Sequence, residues 1–139
     1  MEKNIDIISK WANENGMHVN SNKCAIVSFN KNKNLCNYQY TINMSVIPSV
    51  DHVKYLGLNF SADLTWSHHI CKIVAKANRS LHFVVRNLRH ANKQVKCSAY
   101  LTLVRPLLEY CSSVWDPHQQ YLIDKIESVQ RKAARYVCK

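Results

Sequence analysis

The spacing of apolar residues changes near Asp63, and the change divides the chain. Before it the pattern is mixed. Ile5, Ile8, Trp11 and Ala12 recur at helical intervals and Asn15-Gly16 suits a left-handed helix end, so a short helix is predicted at about 3–15. Cys24-Ala25-Ile26-Val27-Ser28-Phe29 is mostly apolar and predicts a strand, and the Lys/Asn tract at 30–34 predicts a turn. Tyr38-Gln39-Tyr40-Thr41-Ile42 alternates as a half-buried strand does. Residues 53–60 predict another strand, with Val53, Tyr55, Gly57 and Asn59 on one face and Leu56, Leu58 and Phe60 on the other. This first part reads as one helix and a small antiparallel sheet.

After Asp63 every segment has helical periodicity. Ile70, Ile73, Val74, Ala77, Leu81, Val84 and Leu88 fall on one stripe, while Lys72, Lys76, Arg79 and Arg86 fall opposite, with Phe83 among them. Ser67 is the predicted N-cap. A second segment, 93–114, carries apolar residues nearly all round (Val95, Tyr100, Leu101, Leu103, Val104, Leu107, Leu108), which predicts burial between neighbours. Pro106 has no N–H to donate and its ring crowds the carbonyl of Thr102, so this helix is expected to kink or split near Arg105. Asp116 as N-cap, Pro117 at the first helical position and Gln119 three residues after the cap predict a fresh start. The last helix, 118–137, then turns Leu122, Ile126, Val129, Ala133 and Val137 inward and Lys125, Lys132 and Arg135 outward. The fold class expected is α+β: a small sheet with one helix over 1–60, then a three-helix bundle over 61–139.

Composition supports a packed core. Of 139 residues 47% are hydrophobic, and two glycines and three prolines leave no flexible linker. No run approaches the roughly 18 apolar residues of a membrane span, and Met1-Glu2-Lys3-Asn4 lacks the apolar stretch of a secretory signal, so the expectation is an intracellular protein with no membrane partner. Cys24, Cys36, Cys71, Cys97, Cys111 and Cys138 lie far apart without a C-x-x-C, and free thiols are expected. His68, His69 and Cys71 are the one local cluster of metal-ligand types. Adjacent histidines on a helix point about 100° apart, which favours capping and packing over a shared metal.

Charge sharpens the division. Residues 1–60 hold six lysines and four acids, a net +2, and residues 61–139 hold thirteen Lys and Arg and five acids, a net +8. A basic half points to polyanions, nucleic acid above all. The stripe of Lys72, Lys76, Arg79 and Arg86 is suited to successive phosphates, with Phe83 placed to pack on a sugar or base, although an amphipathic helix with a charged face is often simply solvated. The acids offer no carboxylate pair for two metal ions, and Glu127, four residues before Arg131, suits a surface ion pair. Trp66, Tyr110 and Trp115 read as packing anchors.

Several short blocks are strung along the chain in a fixed order: Gly16-Met17 with Asn20 and Lys23-Cys24; Lys54-Tyr55-Leu56-Gly57; Trp66-Ser67-His68-His69-Ile70; and Arg86-Asn87-Leu88-Arg89. Leu103-Val104-Arg105-Pro106-Leu107-Leu108-Glu109-Tyr110, Trp115-Asp116-Pro117-His118 and Ile126-Glu127-Ser128-Val129-Gln130-Arg131-Lys132-Ala133-Ala134-Arg135 follow. Together they resemble the end of the palm and the thumb of reverse transcriptases from non-LTR (LINE-like, jockey/CR1-type) retrotransposons. The resemblance implies a palm remnant with a primer-grip hairpin over 1–60 and a thumb-like domain over 61–139. It implies that Lys23 protonates departing pyrophosphate, that Tyr55, Leu56 and Gly57 form the primer grip, and that the basic stripe clasps an RNA/DNA primer-template.

Such polymerases place a Phe/Tyr-x-Asp-Asp metal-binding turn upstream of these blocks, and this chain contains no Asp-Asp pair. The expectation is a piece that binds no cofactor itself, with Mg²⁺ held in the intact polymerase and the rest of the palm and the fingers as partners. Alone it is expected to be catalytically silent. The alternative is a small domesticated helical interaction module whose apolar faces bind another protein.

Overall fold

A computed structural model describes residues 2–29 and 38–138. The fold is α+β, as expected from the sequence. Its residues gather into two compact units, one running up to Tyr55 and including Phe60–Leu64, the other made of Leu56–Asn59 and the chain from Thr65 onward. The predicted turn at 30–34 and Cys36 lie outside the described residues.

In the first unit, helix α1 (Glu2–Glu14) ends where the sequence indicates. Gly16 takes φ +70°, and the N–H of Met17 reaches back to the carbonyl of Ala12 at 2.8 Å, a Schellman-type closure that glycine allows without strain. The apolar stripe of α1 is less buried than its periodicity suggests: Ala12 is buried, Ile5 half-buried, and Ile7, Ile8 and Trp11 exposed. Strands β1 (Thr41–Ile42) and β2 (Ser45–Val46) pair antiparallel around a turn in which Asn43 and Met44 both have positive φ, the signs of a type I′ hairpin. Ile42, Ile47 and Ala12 are the buried apolar residues here.

The strand predicted over 24–29 does not form. Only Ile26 bridges, in parallel, to Ser49, accepting from the N–H of Val50 and donating to the carbonyl of Pro48. Pro48 has no N–H to extend the ladder. The strand predicted over 38–42 is reduced to Thr41–Ile42, with the Tyr38 and Tyr40 rings packed 4.8 Å apart before it.

The continuous strand predicted over 53–60 is instead a hairpin of β3 (His52–Tyr55) and β4 (Leu58–Ser61). Leu56 and Gly57 turn the chain with φ of +46° and +87°. Positive φ at both central residues matches the twist of the flanking strands and reverses them in two residues.

The second unit is helical. In α2 (Ser67–Asn87) the predicted stripe packs inward: Ile70, Ala77, Leu81 and Val84 are buried and Ile73, Val74 and Leu88 partly so. Helix α6 (Gln120–Val137) buries Leu122, Val129 and Ala133. The two helices share a core of Ala77, Leu81, Val84, Val104, Leu108, Val129 and Ala133. Full burial of side chains such as Leu81 or Val129 stabilises by about 1.5–3 kcal/mol each.

Between them the 93–114 segment splits as Pro106 requires, into α3 (Lys93–Leu103), α4 (Arg105–Glu109) and α5 (Ser112–Trp115). At the break the N–H of Leu107 bonds to Val104 rather than one residue further back, and the freed carbonyl of Leu103 accepts from the Ser80 hydroxyl at 2.9 Å. A broken helix turn is thus satisfied by a side chain from α2. The all-round burial predicted for this segment fails, since Val95, Leu101 and Leu103 are exposed while Val104 and Leu108 are buried.

Two predicted caps are not made. Ser67 is the first residue of α2 and its hydroxyl pairs with that of Tyr121 at 2.9 Å, so tertiary contact outcompetes local capping. Asp116 closes α5, with φ −50° and ψ 116°, and Gln119 precedes α6, which starts at Gln120 rather than 118.

Candidate nucleic-acid interface

Lys72, Lys76, Arg79, Phe83 and Arg86 follow one another at intervals of four, three, four and three residues, which at about 100° per residue keeps them in one narrow sector of α2. All five are exposed, the Phe83 side chain to 54%. Among the described residues no carboxylate pairs with these four cations. Two other arginines of this unit do have carboxylate partners: Arg105 lies 2.6 Å from Glu109, and Arg131 lies 3.8 Å from Glu127, the pair the sequence spacing predicts. The stripe is therefore aligned positive charge with an apolar ring in its middle, an arrangement that can meet phosphates and a base or sugar together.

Next to the start of this stripe stands the hairpin turn. Leu56 is 72% exposed, so its side chain projects into solvent from a backbone conformation that a leucine adopts at a cost. Gly57 lies under the Tyr110 ring: a Cβ there would meet Tyr110 Cε1 at 3.1 Å. The Tyr110 hydroxyl donates to the carbonyl of Leu56 at 3.1 Å, and the Trp115 indole N–H donates to the Tyr110 carbonyl at 2.8 Å. Trp115 is buried and is the packing anchor expected of it, whereas Tyr110 covers the turn and stays exposed.

The contacts continue through Asn59 and His69. The backbone N–H of Asn59 donates to His69 Nδ1 at 3.3 Å, with the Asn59 amide nitrogen at the same distance, and the Lys72 ammonium donates to Asn59 Oδ1 at 3.2 Å. The imidazole is 1% exposed and sits edge-on to Trp66 at 6.0 Å and to Trp115 at 5.4 Å. Because Nδ1 accepts, the neutral ring carries its proton on Nε2, which is buried without a hydrogen-bond partner among the described residues. Burial, then the neighbouring His68 and Lys72 charges, push the His69 pKa below its ordinary value. Leu56, Gly57, Asn59, His69, Trp115 and Tyr110 thereby close a ring of contacts that fixes the turn and ties it to the first cation of the stripe.

The other sequence-predicted residues lie in the first unit. Lys23 is exposed at the end of a short 3₁₀ turn (Ser21–Lys23), whose start is capped by the Asn20 side chain accepting from the N–H of Asn22. Tyr55 is exposed at the end of β3.

The His68, His69 and Cys71 cluster is not arranged around a metal. His69 Nδ1 is taken by Asn59, and Cys71 is approached by the Lys125 ammonium at 3.3 Å. Among the described residues no three His, Cys, Asp or Glu side chains come together to hold an ion. The acids are dispersed, with Glu109 and Glu127 drawn to arginines and Asp124 to Gln120 at 3.1 Å. These side chains do not fit a Mg²⁺ site. No helix among the described residues is long and apolar enough to cross a membrane.

Sequence reasoning missed the contacts made by Asn59 and His69 and the burial of Lys96. A signal existed for Lys96, which stands three and four residues before Ala99 and Tyr100 on the inward side of α3. None existed for Asn59, whose partners come from tertiary structure.

Over 99% of its length the chain is 28% identical, across 144 residues, to the RNA-directed DNA polymerase from mobile element jockey of Drosophila funebris. It is 25% identical across 141 residues to the protein of the same name from Drosophila melanogaster. The chain spans about 15% of the length of each relative. No protein-family model and no solved structure matches it. Blocks and comparisons agree: along nearly all its length this chain is similar to the RNA-directed DNA polymerases of jockey, a non-LTR retrotransposon.

Proposed function

We propose that this chain grips the RNA/DNA primer-template of an RNA-directed DNA polymerase, with the exposed face of α2 laid against backbone phosphates. The observation that carries this reading is the alignment of Lys72, Lys76, Arg79 and Arg86, with no carboxylate partner among the described residues, around an exposed Phe83. Each phosphate met by such a cation releases a condensed counterion, which drives binding without regard to sequence. The Leu56-Gly57 turn, held by Tyr110, offers a backbone edge and an exposed leucine to the primer strand, with Tyr55 beside it in sequence. In this reading Lys23 serves the leaving pyrophosphate, and the metal-binding aspartates are supplied by another part of the polymerase.

The exposed apolar residues of α1 (Ile7, Ile8, Trp11) and of α3 (Val95, Leu101, Leu103) suit contact with the rest of such a polymerase. They also feed the alternative of a protein-interaction module. Backbone amide NMR with a short RNA–DNA hybrid separates the two. Shifts concentrated on the outward residues of α2 support the grip; shifts absent from α2, or none at all, overturn it. Primer extension with Mg²⁺ or Mn²⁺ on an RNA template is expected to show no incorporation by the chain alone, because its described side chains do not form a two-metal site.

A further inference from the structure

A second concentration of positive charge lies where α2 ends. His82, Val85, Arg86 and Arg89, Lys96 from α3 and Tyr136 from α6 line a cleft of about 600 Å³. Among the described residues no acidic side chain lines it. Cations at the end of α2 are partly explained by its partial negative charge. Lys96 is not. It comes from another helix and is 9% exposed, and its ammonium lies 5.0 Å from the centre of the Tyr136 ring with no carboxylate paired to it among the described residues. Tyr136 is itself fixed, its hydroxyl donating to the carbonyl of Leu88 at 2.8 Å. The stem of Lys96 is buried while its ammonium reaches the open cleft, placed by the Tyr136 ring and facing no anion among the described residues.

We propose that this cleft is a phosphate site for the backbone of a bound nucleic-acid strand, with Lys96 as its fixed cation and Arg86 and Arg89 at its mouth. The inference deepens the grip reading and rests on it for the source of the phosphate. Arg86 belongs both to the stripe and to the cleft, so a strand following α2 from Lys72, over a rise of about 21 Å, arrives at the cleft. The stripe supplies exposed cations, whereas the Lys96 stem is buried and its ammonium lies against Tyr136. A phosphate there would be fixed in position, setting where the strand leaves the helix.

The test has two arms, on the full chain. In the first, pyrophosphate is titrated at constant ionic strength while the Lys96 ε-methylene and Tyr136 ring signals are followed by NMR. Saturable shifts are expected in the wild type and not in Lys96→Met, which keeps the apolar stem and so the packing; Arg89→Gln, at an exposed position, should weaken them. Absent shifts, or shifts unchanged in both variants, overturn the site. In the second, an oligonucleotide replaces pyrophosphate. Arg89→Gln/Lys96→Met should flatten the slope of log affinity against log salt by about 0.7–0.9, one phosphate's worth, while Arg105→Gln/Arg131→Gln, an equal loss of charge elsewhere, should not.

Binding of pyrophosphate with no change of oligonucleotide slope would overturn the strand as the source. Failure of the grip reading shows separately, as an unchanged slope in Lys72→Gln/Lys76→Gln/Arg79→Gln, and does not touch the pyrophosphate arm.

Discussion

Asn59 holds His69 in its neutral form: the Asn59 N–H donates to Nδ1 at 3.3 Å, and protonating that nitrogen would set two donors against each other. Burial against Trp66 and Trp115 and the nearby His68 and Lys72 charges act in the same direction. The folded state therefore binds this proton less readily than the unfolded chain, whose histidine titrates near 6.5. Stability from this group is complete above that value and is lost as pH falls below it towards the lower folded pKa. Urea unfolding between about pH 7.5 and pH 5 should show stability falling by up to about 1.4 kcal/mol per pH unit, the limit for one proton. His69→Gln, whose side-chain oxygen can accept from Asn59, should flatten the profile. An equally steep profile in the variant would assign the effect to other groups.

The turn beside it makes a second expectation. Gly57→Ala forces a side chain into positive φ and against Tyr110, and should cost about 1–2 kcal/mol in chemical unfolding. Leu56→Asn moves the other way, since asparagine tolerates the left-handed region at a position that is 72% exposed, and should stabilise by a few tenths of a kcal/mol or more. If leucine is there for the primer strand, the same variant should bind an RNA–DNA hybrid more weakly while being more stable. Unchanged binding would limit Leu56 to a structural role.

What could be read from the sequence follows the range of the interactions. The α2 stripe was legible because one period of 3.6 residues assigns both its buried and its basic face, and the split at Pro106 because a missing N–H is a local fact. The β3–β4 turn was not legible from alternation, since Leu56 is an unusual residue at positive φ and alone hides the signal Gly57 gives. Ser67 and His69 escape the sequence for a different reason. Their partners, Tyr121 and Asn59, are 54 and 10 residues away, and no local rule finds them. The strand expected at 24–29 had suitable residues and no ladder to join beyond Ile26.

The two units should differ in local stability. The buried faces of α2 and α6 meet in the main core, whereas β1 and β2 are two residues long and, among the described residues, form a two-stranded sheet. Amide hydrogen exchange is expected to be slow around Ala77, Leu81, Val84, Val129 and Ala133 and fast at Thr41, Ile42 and Val46. Equal protection of both sets would mean that the first unit is as stable as the second.

The central claim, that the outward face of α2 is a phosphate-binding surface, is tested most directly by the salt dependence of binding to an RNA–DNA hybrid. For the wild type, log affinity should fall linearly with log salt, and Lys72→Gln/Lys76→Gln/Arg79→Gln/Arg86→Gln should lower the slope by roughly 0.7–0.9 for each phosphate that the variant no longer neutralises. A slope unchanged in the quadruple variant would contradict the claim and move the interface off α2.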